Sequence, residues 1–325
     1  MFIFDEARVL VTGAAGFIGS HVTERLLQVG AKVRGIDNFV TGDRKNVERM
    51  RGQPNFEFIE GDLLNQDFTD RIVRGVDAVF HLAVTRPEYG KSFLDAMEGY
   101  KNDVLGTYNL LRSIGKSGNG KKIVYTSSGL VYGETETVPT SETYGPLRPS
   151  SAYGASKLAS EAFISVFCHA FDMQAALCRL ANVEGLRKPY GVIYDFVNKL
   201  KQSSTSLEIL GDPGDRRAYL HVSDCAEALL FCLSHLNTEV ECWNVGPVDS
   251  MSVKELATIV IDQMGLGDIP IVEKHHSEEH KIKGSVRESR PSIDKIIRDG
   301  WHPKHNSKQA VTLAAAELAS ELCQK

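Results

Sequence analysis

An α/β fold built on a doubly wound parallel sheet is predicted by three features of this 325-residue chain. A short apolar strand runs straight into a glycine-rich turn and a helix. A second strand ends in an acid at a set distance from that turn, and further strands then alternate with helical stretches.

The first strand is Arg8 to Thr12, followed by Gly13, Gly16 and Gly19 in TGAAGFIGS and by a periodic helix that ends at Gly30. Glycines here let a pyrophosphate approach the backbone, and a helix N-terminus offers it N–H groups and a positive dipole. The second strand, Lys32 to Ile36, ends in Asp37, 18 residues after Gly19. A carboxylate there can accept both ribose hydroxyls of an adenosine and would repel a 2'-phosphate, which favours NAD over NADP. Strands at Phe56 to Glu60, Ala78 to Ala83, Lys122 to Ser127 and Ala175 to Leu180 complete a Rossmann-type sheet. Ligands of such sheets lie at the carboxyl ends of the strands, so Asp62, His81-Leu82-Ala83 and Thr126 to Ser128 are placed beside the cofactor. Asp62 also fits an ordinary helix cap.

Helices over about 92–114 and 151–171 have wide apolar faces, the second carrying Phe163, Val166, Phe167, Ala170 and Phe171. A two-fold dimer interface and deeper burial within one chain both account for them. After Asn182 the texture turns to loops, a helix at Val192 to Gln202, and a glycine and proline turn leading into AYLHVSD. The expected organisation is a dinucleotide-binding domain over 1–181 with a returning segment at about 218–264, and a smaller C-terminal α/β substrate domain over 182–325.

Bulk composition narrows the partners. The net charge is -5 and the pI near 6.1, with no basic footprint for nucleic acid and no polybasic strip for a membrane. No apolar run reaches spanning length, and the N-terminus lacks the pattern of a signal peptide. The six cysteines form no CxxC and sit in apolar segments, as in a reducing, cytoplasmic setting. His275, His276 and His280 lie in a polar, charged stretch read as a solvated loop, so no metal is expected.

Tyr153 and Lys157, in SAYGASK, share one face of a helix four residues apart. By itself the pair also fits an exposed aromatic beside a solvated lysine. Context changes its meaning. The motifs VTGAAGFIGSH, IDNFVTG, GDL, HLA, TSSGLVYG, YGASK, GDPGDRRAYLHVSD and NVGPVDSMSVKELA, in this order and over nearly the whole chain, resemble the extended short-chain dehydrogenase/reductases. Within them, the chain is similar to the NAD-dependent nucleotide-sugar epimerases and dehydratases, the group typified by UDP-glucose 4-epimerase.

The resemblance implies that Tyr153 is the catalytic base, that Lys157 holds the nicotinamide ribose, and that Ser128 bonds the reacting hydroxyl. It implies NAD contacts at Gly13, Gly16, Phe17, Ile18, Gly19, Asp37, Asn38, Asp62, Leu63, Leu82, Ala83, Asp103 and Thr126, besides Tyr153 and Lys157. Substrate contacts are implied at Ser128 and Tyr153, at Asn182 and Arg217 for a diphosphate, and at Ser289, whose small side chain would leave room for an N-acetyl group. Arg216 is adjacent and could substitute for Arg217. A cation about 6 Å from the tyrosine, at an effective dielectric of 20, is worth roughly 2.8 kcal/mol, or about two pKa units, enough with the nicotinamide ring to bring a phenol toward neutrality.

In this family, sugar dehydratases carry an Asp-Glu pair just before VYG and decarboxylases carry a Glu there. This chain has Gly129 and Leu130, which implies 4-epimerisation through a keto-sugar and reversible hydride transfer, on a UDP-linked hexose, by a homodimer. A reductase or dehydrogenase with net cofactor turnover, and a non-catalytic dinucleotide-binding regulator, are the alternatives. Departures from the family pattern cluster around the nucleotide and the sugar: Glu184 and Leu186 in NVEGL for NVYGP, Gly284-Ser285-Val286 for GDV, and Asp103 for asparagine.

Overall fold

The structure, a computed structural model, describes residues 2–85, 93–274 and 288–323, with the backbone alone at 93–99, 102 and 323. The three histidines of the polar loop and Gly284-Ser285-Val286 lie outside these residues. The chain forms two compact units, 1–133 with 145–179 and 226–243, and 134–144 with 180–225 and 244–325.

In the first unit the strands β1 (Arg8–Thr12), β2 (Lys32–Asp37), β3 (Phe56–Glu60), β4 (Ala78–His81), β5 (Lys122–Ser128) and β6 (Gln174–Leu180) alternate with helices α1 (Phe17–Gln28), α2 (Arg44–Glu48), α3 (Gln66–Ile72), α4 (Phe93–Ser117) and α5 (Ala152–Phe171). The strands β1, β4 and β5 are buried along nearly their whole length because a parallel sheet is covered on both faces. Its core joins Leu10, Val79 and Ile123 to Leu110, Ile114 and Ile164 of the covering helices.

The chain next forms β7 (Asn182–Glu184), α6 (Val192–Gln202), β8 (Leu207–Leu210), β9 (Arg216–Arg217), β10 (Tyr219–His221) and α7 (Val222–His235), then returns to the first sheet as β11 (Val240–Val245). The seven-stranded order is β11-β6-β5-β4-β1-β2-β3. Strand order reverses between β1 and β4, and in open α/β sheets the crevice at such a reversal takes the ligand.

The second unit ends with β12 (Met251–Ser252), α8 (Val253–Gln263), β13 (Ile271–Lys274), β14 (Glu288–Ser289), α9 (Asp294–Arg298) and α10 (Ser307–Cys323). Its own core packs Phe196 and Leu200 of α6 against Leu256 and Val260 of α8 and Val311 and Leu318 of α10. Helix α8 starts on a capping box, Ser252 with Glu255, which satisfies two N–H groups the helix cannot bond itself. Among the described residues no helix is long and apolar enough to cross a membrane, and no cluster of His, Cys, Asp and Glu could hold a metal. The five cysteines described are free thiols.

Candidate active site

The turn between β1 and α1 is shaped by close approach. A Cβ on Gly19 would overlap the carbonyl of Gly13, so only glycine lets the helix start this near the strand. No side chain caps α1 and no acid lies in its first turn, leaving that end suited to an anion. Asp37, 8% exposed at the end of β2, accepts from the backbone N–H of Ala15 (3.0 Å) and of Phe39 (2.8 Å). Burial raises its pKa, opposed by those backbone bonds. A carboxylate accepts at about four sites, so the group keeps acceptor capacity for an incoming hydroxyl. Asn38 donates to Asp62 at 3.0 Å, and Asp62 accepts from the N–H of Leu64 at 2.8 Å, so the loops after β2 and β3 are tied together. The cap of α3 is Asn65, not Asp62.

At the reversal point, Thr12 Oγ1 accepts from the N–H groups of Leu82 and Ala83, both at 3.1 Å. Its own hydrogen then goes to His81 Nδ1, 2.8 Å away. Nδ1 is therefore the acceptor of the imidazole, and Nε2–H donates to Thr107 Oγ1 at 2.9 Å. Burial and the nearby Lys157 cation bring the His81 pKa down to about 3, so the ring is a neutral strut between β1, β4 and α4. Through Thr12 it fixes Leu82 and Ala83 at the carboxyl end of β4.

Ser128 closes β5 and starts a 3-10 turn, Gly129–Val131, by accepting from the N–H of Leu130 at 3.2 Å. Helix α5 begins beside that turn, with Ser151 accepting from the N–H of Gly154 at 3.1 Å. A Cβ on Gly154 would lie 2.6 Å from the Leu130 carbonyl oxygen, so glycine is what allows the first turn of α5 to rest on the turn after Ser128. In this way Tyr153 and Ser128 reach the same end of the sheet. The Tyr153 ring meets Tyr100 edge-on at 5.8 Å, and Lys157 Nζ lies 5.7 Å from the Tyr153 ring centre. Lys157 is 2% exposed and donates to the Thr126 carbonyl at 2.8 Å. Burial brings its pKa down to about 8, against the upward pull of Asp103 and Glu161.

Behind this front, Glu161 of α5 forms a buried bidentate pair with Arg179 of β6, at 3.0 and 2.7 Å, and accepts from Ser127 Oγ at 2.5 Å. The Arg179 guanidinium also faces the Tyr132 ring at 4.9 Å. Asp103 accepts twice from Thr85, through its N–H and its hydroxyl, both at 2.7 Å.

The second unit gathers the three remaining positions along one stretch of backbone. Tyr219 of β10 is in register with Asn182 of β7, Arg217 of β9 with Ser289 of β14, and Ala218 N–H donates to the Ser289 carbonyl at 3.2 Å. Arg217 lies 3.4 Å from Asp215. Arg216 instead turns to Ser250 and to Glu255 of the α8 capping box, so it is engaged in holding that helix start. The departure at Glu184 is accounted for locally. Glu184 is 2% exposed and paired with Lys188 at 2.7 Å, and Lys188 also donates to the Val183 carbonyl at 2.9 Å.

Sequence reasoning placed His81 beside the site without its role, and it missed Thr12, Thr85, Tyr100, Thr107, Glu161 and Arg179. Thr12, directly before Gly13, carried a usable signal as a hydroxyl ending an apolar strand. The others meet only through long-range packing of α4, α5 and the sheet.

The chain matches the NAD dependent epimerase/dehydratase family over residues 9–246. It is 34% identical to a UDP-glucose 4-epimerase of Mycolicibacterium smegmatis over 305 residues, 91% of this chain and 94% of that protein. It is 28% identical to UDP-glucuronic acid decarboxylase 1 of Xenopus tropicalis over 310 residues, 92% of this chain and 69% of that one. The crystal structure of a Thermotoga maritima UDP-glucose 4-epimerase with UDP-glucose is similar at a TM-score of 0.85 and 30% identity, covering 97% of this chain and 99% of that chain.

Proposed function

Since this chain belongs to the NAD dependent epimerase/dehydratase family, whose cofactor is NAD, we infer that it is a UDP-hexose 4-epimerase. The observation that carries this reading is the turn after Ser128. Gly129 and Leu130 stand where an extra acid or base would be needed near carbons 5 and 6, and neither can exchange a proton. Relatives of similar overall identity include a decarboxylase, so identity alone does not choose the reaction.

The residues of the glycine turn fit NAD: the uncapped start of α1 for its pyrophosphate, Asp37 for the adenosine ribose, Leu82 and Ala83 for the floor, and Lys157 for the second ribose. When bound, NAD supplies the acceptor and then the donor of one hydride. Tyr153 Oη takes the proton of the sugar's C4 hydroxyl while Ser128 Oγ holds that oxygen, and the Lys157 cation favours the phenolate. After the keto-sugar turns over, Tyr153 returns the proton to the oxygen; with the hydride given back to the other face of the same carbon, no cofactor would be consumed. Asn182 and Arg217 hold the diphosphate, and Ser289 leaves room for an N-acetyl group.

The same reading includes a homodimer and a cytoplasmic setting. Tyr108 of α4 and Phe163 and Phe167 of α5 form an edge-to-face aromatic cluster, flanked by Val166, which is 63% exposed. Burying such a patch favours self-association. Light scattering on the parent and on Phe163→Asp should show a dimer that dissociates; a monomeric parent would remove the dimer from the reading. The free thiols suit a reducing compartment.

Incubation with UDP-glucose, UDP-galactose, their N-acetyl forms and UDP-glucuronate, followed by NMR, tests the reaction. Interconversion at C4 without net absorbance change at 340 nm is expected. A pentose product, a 4-keto-6-deoxy product, or no C4 epimer from any of them would sink it.

A further inference from the structure

Lys157 is buried, and its charge must be held by something other than water. On its own helix it is faced by Tyr153 and Glu161, from β5 by the Tyr125 ring at 4.8 Å and the Thr126 carbonyl, from β4 by the neutral His81, and from α4 by Asp103. Two of these groups are acids, and they differ in kind. Glu161 is closed off: both oxygens are taken by the Arg179 guanidinium, and one also by Ser127. Its charge is matched by a cation at contact. Asp103 meets no cation at contact distance among the described residues. One of its oxygens takes both neutral donors of Thr85, and Oδ2 is buried with no hydrogen-bond partner.

An unpartnered buried carboxylate oxygen is costly unless a donor or a cation completes it; burial raises the pKa of Asp103, and the Thr85 hydroxyl, the Lys157 cation and the Thr85 N–H pull it back toward the charged form. The helix is also fixed at this point, because Thr107 Oγ1 donates to the Asp103 carbonyl at 2.8 Å while receiving His81 and Ser160 of α5. We propose that Asp103 is the positioning residue that keeps Lys157 charged: its uncompensated carboxylate, clamped by Thr85, supplies the net negative field that holds the buried ammonium protonated in the working pH range. The asparagine usual at this position could make the same hydrogen bonds but would bring no charge.

This rests on the reading of Lys157 as the cation that activates Tyr153, but its test needs no sugar. Asp103 and Lys157 interact electrostatically, and opposite charges several ångströms apart at an effective dielectric of about 20 move a pKa by roughly one to two units. The test is to label the full chain, as purified, with 13C at lysine Cε and to titrate it by NMR, identifying the Lys157 signal by its loss in Lys157→Ala. Asp103→Asn should lower the Lys157 midpoint by about one pH unit, and Asp103→Glu should restore most of the shift. In turnover assays the alkaline limb should move down by the same amount, with kcat losing more at pH 8.5 than at pH 6.5. A merely structural residue would lower kcat evenly across pH and leave the midpoint in place. Should Asp103→Asn not fold, Asp103→Ser makes the same comparison. An unmoved Lys157 midpoint, or equal movement in Asp103→Asn and Asp103→Glu, overturns the proposal, whichever sugar the enzyme accepts.

Discussion

Lys157 in the first unit donates to a backbone carbonyl and has no carboxylate at contact distance among the described residues, whereas in the second unit Lys188, Arg216 and Arg217 each lie within 3.4 Å of one. The contrast separates two uses of a cation. A buried charge with no counter-ion at contact keeps its field for whatever enters, and that is the condition for shifting the pKa of a neighbouring phenol. A charge already paired must exchange its partner when an anion arrives, so its ligand is bound reversibly and the chain holds its shape without it. Arg217, against Asp215 at 3.4 Å, is the looser pair and suits exchange; Lys188, at 2.7 Å and buried, is structural.

The largest effects should come from the first unit. Tyr153→Phe and Lys157→Ala should each lower kcat by roughly 10² to 10⁴-fold, with Lys157→Ala also weakening NAD retention. Turnover within a few-fold of the parent for either, in the C4 epimerisation assay, would break the contrast at its first term.

His81 tests whether the neutral strut is as central as its bonds suggest. Its folded pKa, about 3, lies below the ordinary 6.5, so the unfolded chain binds the proton first as pH falls. The stability it contributes is complete above pH 6.5 and is lost on the way down to pH 3, on the order of 5 kcal/mol in all. Urea unfolding at a series of pH values should show a steep acid loss in the parent and a shallower one in His81→Asn, which starts less stable at pH 7. Equal slopes would remove His81 from this role.

In the second unit, Arg217→Ala should raise KM for the nucleotide sugar by about 10 to 100-fold with little change in kcat, the value of a charge-assisted phosphate contact. Arg216→Ala should leave KM within about two-fold and cost about 1 kcal/mol of stability through the α8 cap. If the two exchanged these effects, the diphosphate would belong to Arg216.

Asp37 should give the smallest change. Asp37→Ser should raise relative tolerance for NADP by a few-fold while weakening NAD binding, as read by calorimetry with each cofactor. An unmoved preference would take Asp37 away from the ribose.

How far the sequence could be read follows the range of the interactions. The glycine turn, Asp37 and the Tyr153–Lys157 pair are local patterns, with strand, turn and helix within a few residues, and local sterics decide them. The helix at Val192–Gln202 was legible to the residue because α6 has one clear apolar face and a polar opposite. The Glu161–Arg179 pair, the Thr12–His81–Thr107 strut and the Thr85 clamp on Asp103 span 18 to 69 residues. Nothing in a single sequence marks which buried polar residues will meet across a sheet. The departure at Glu184 showed the same limit, since its partner Lys188 lay four residues away but only burial made the pair meaningful.

Helix α5 rests on the Leu130 carbonyl oxygen, a group every amino acid provides, while the Leu130 side chain is 46% exposed. The seat of α5 is therefore fixed by main-chain atoms, while the Leu130 side chain stays partly open to solvent. On the proposed reading, an acid exchanged for Leu130 would alter the chemistry offered beside Ser128 while leaving in place the main-chain contact that positions the first turn of α5.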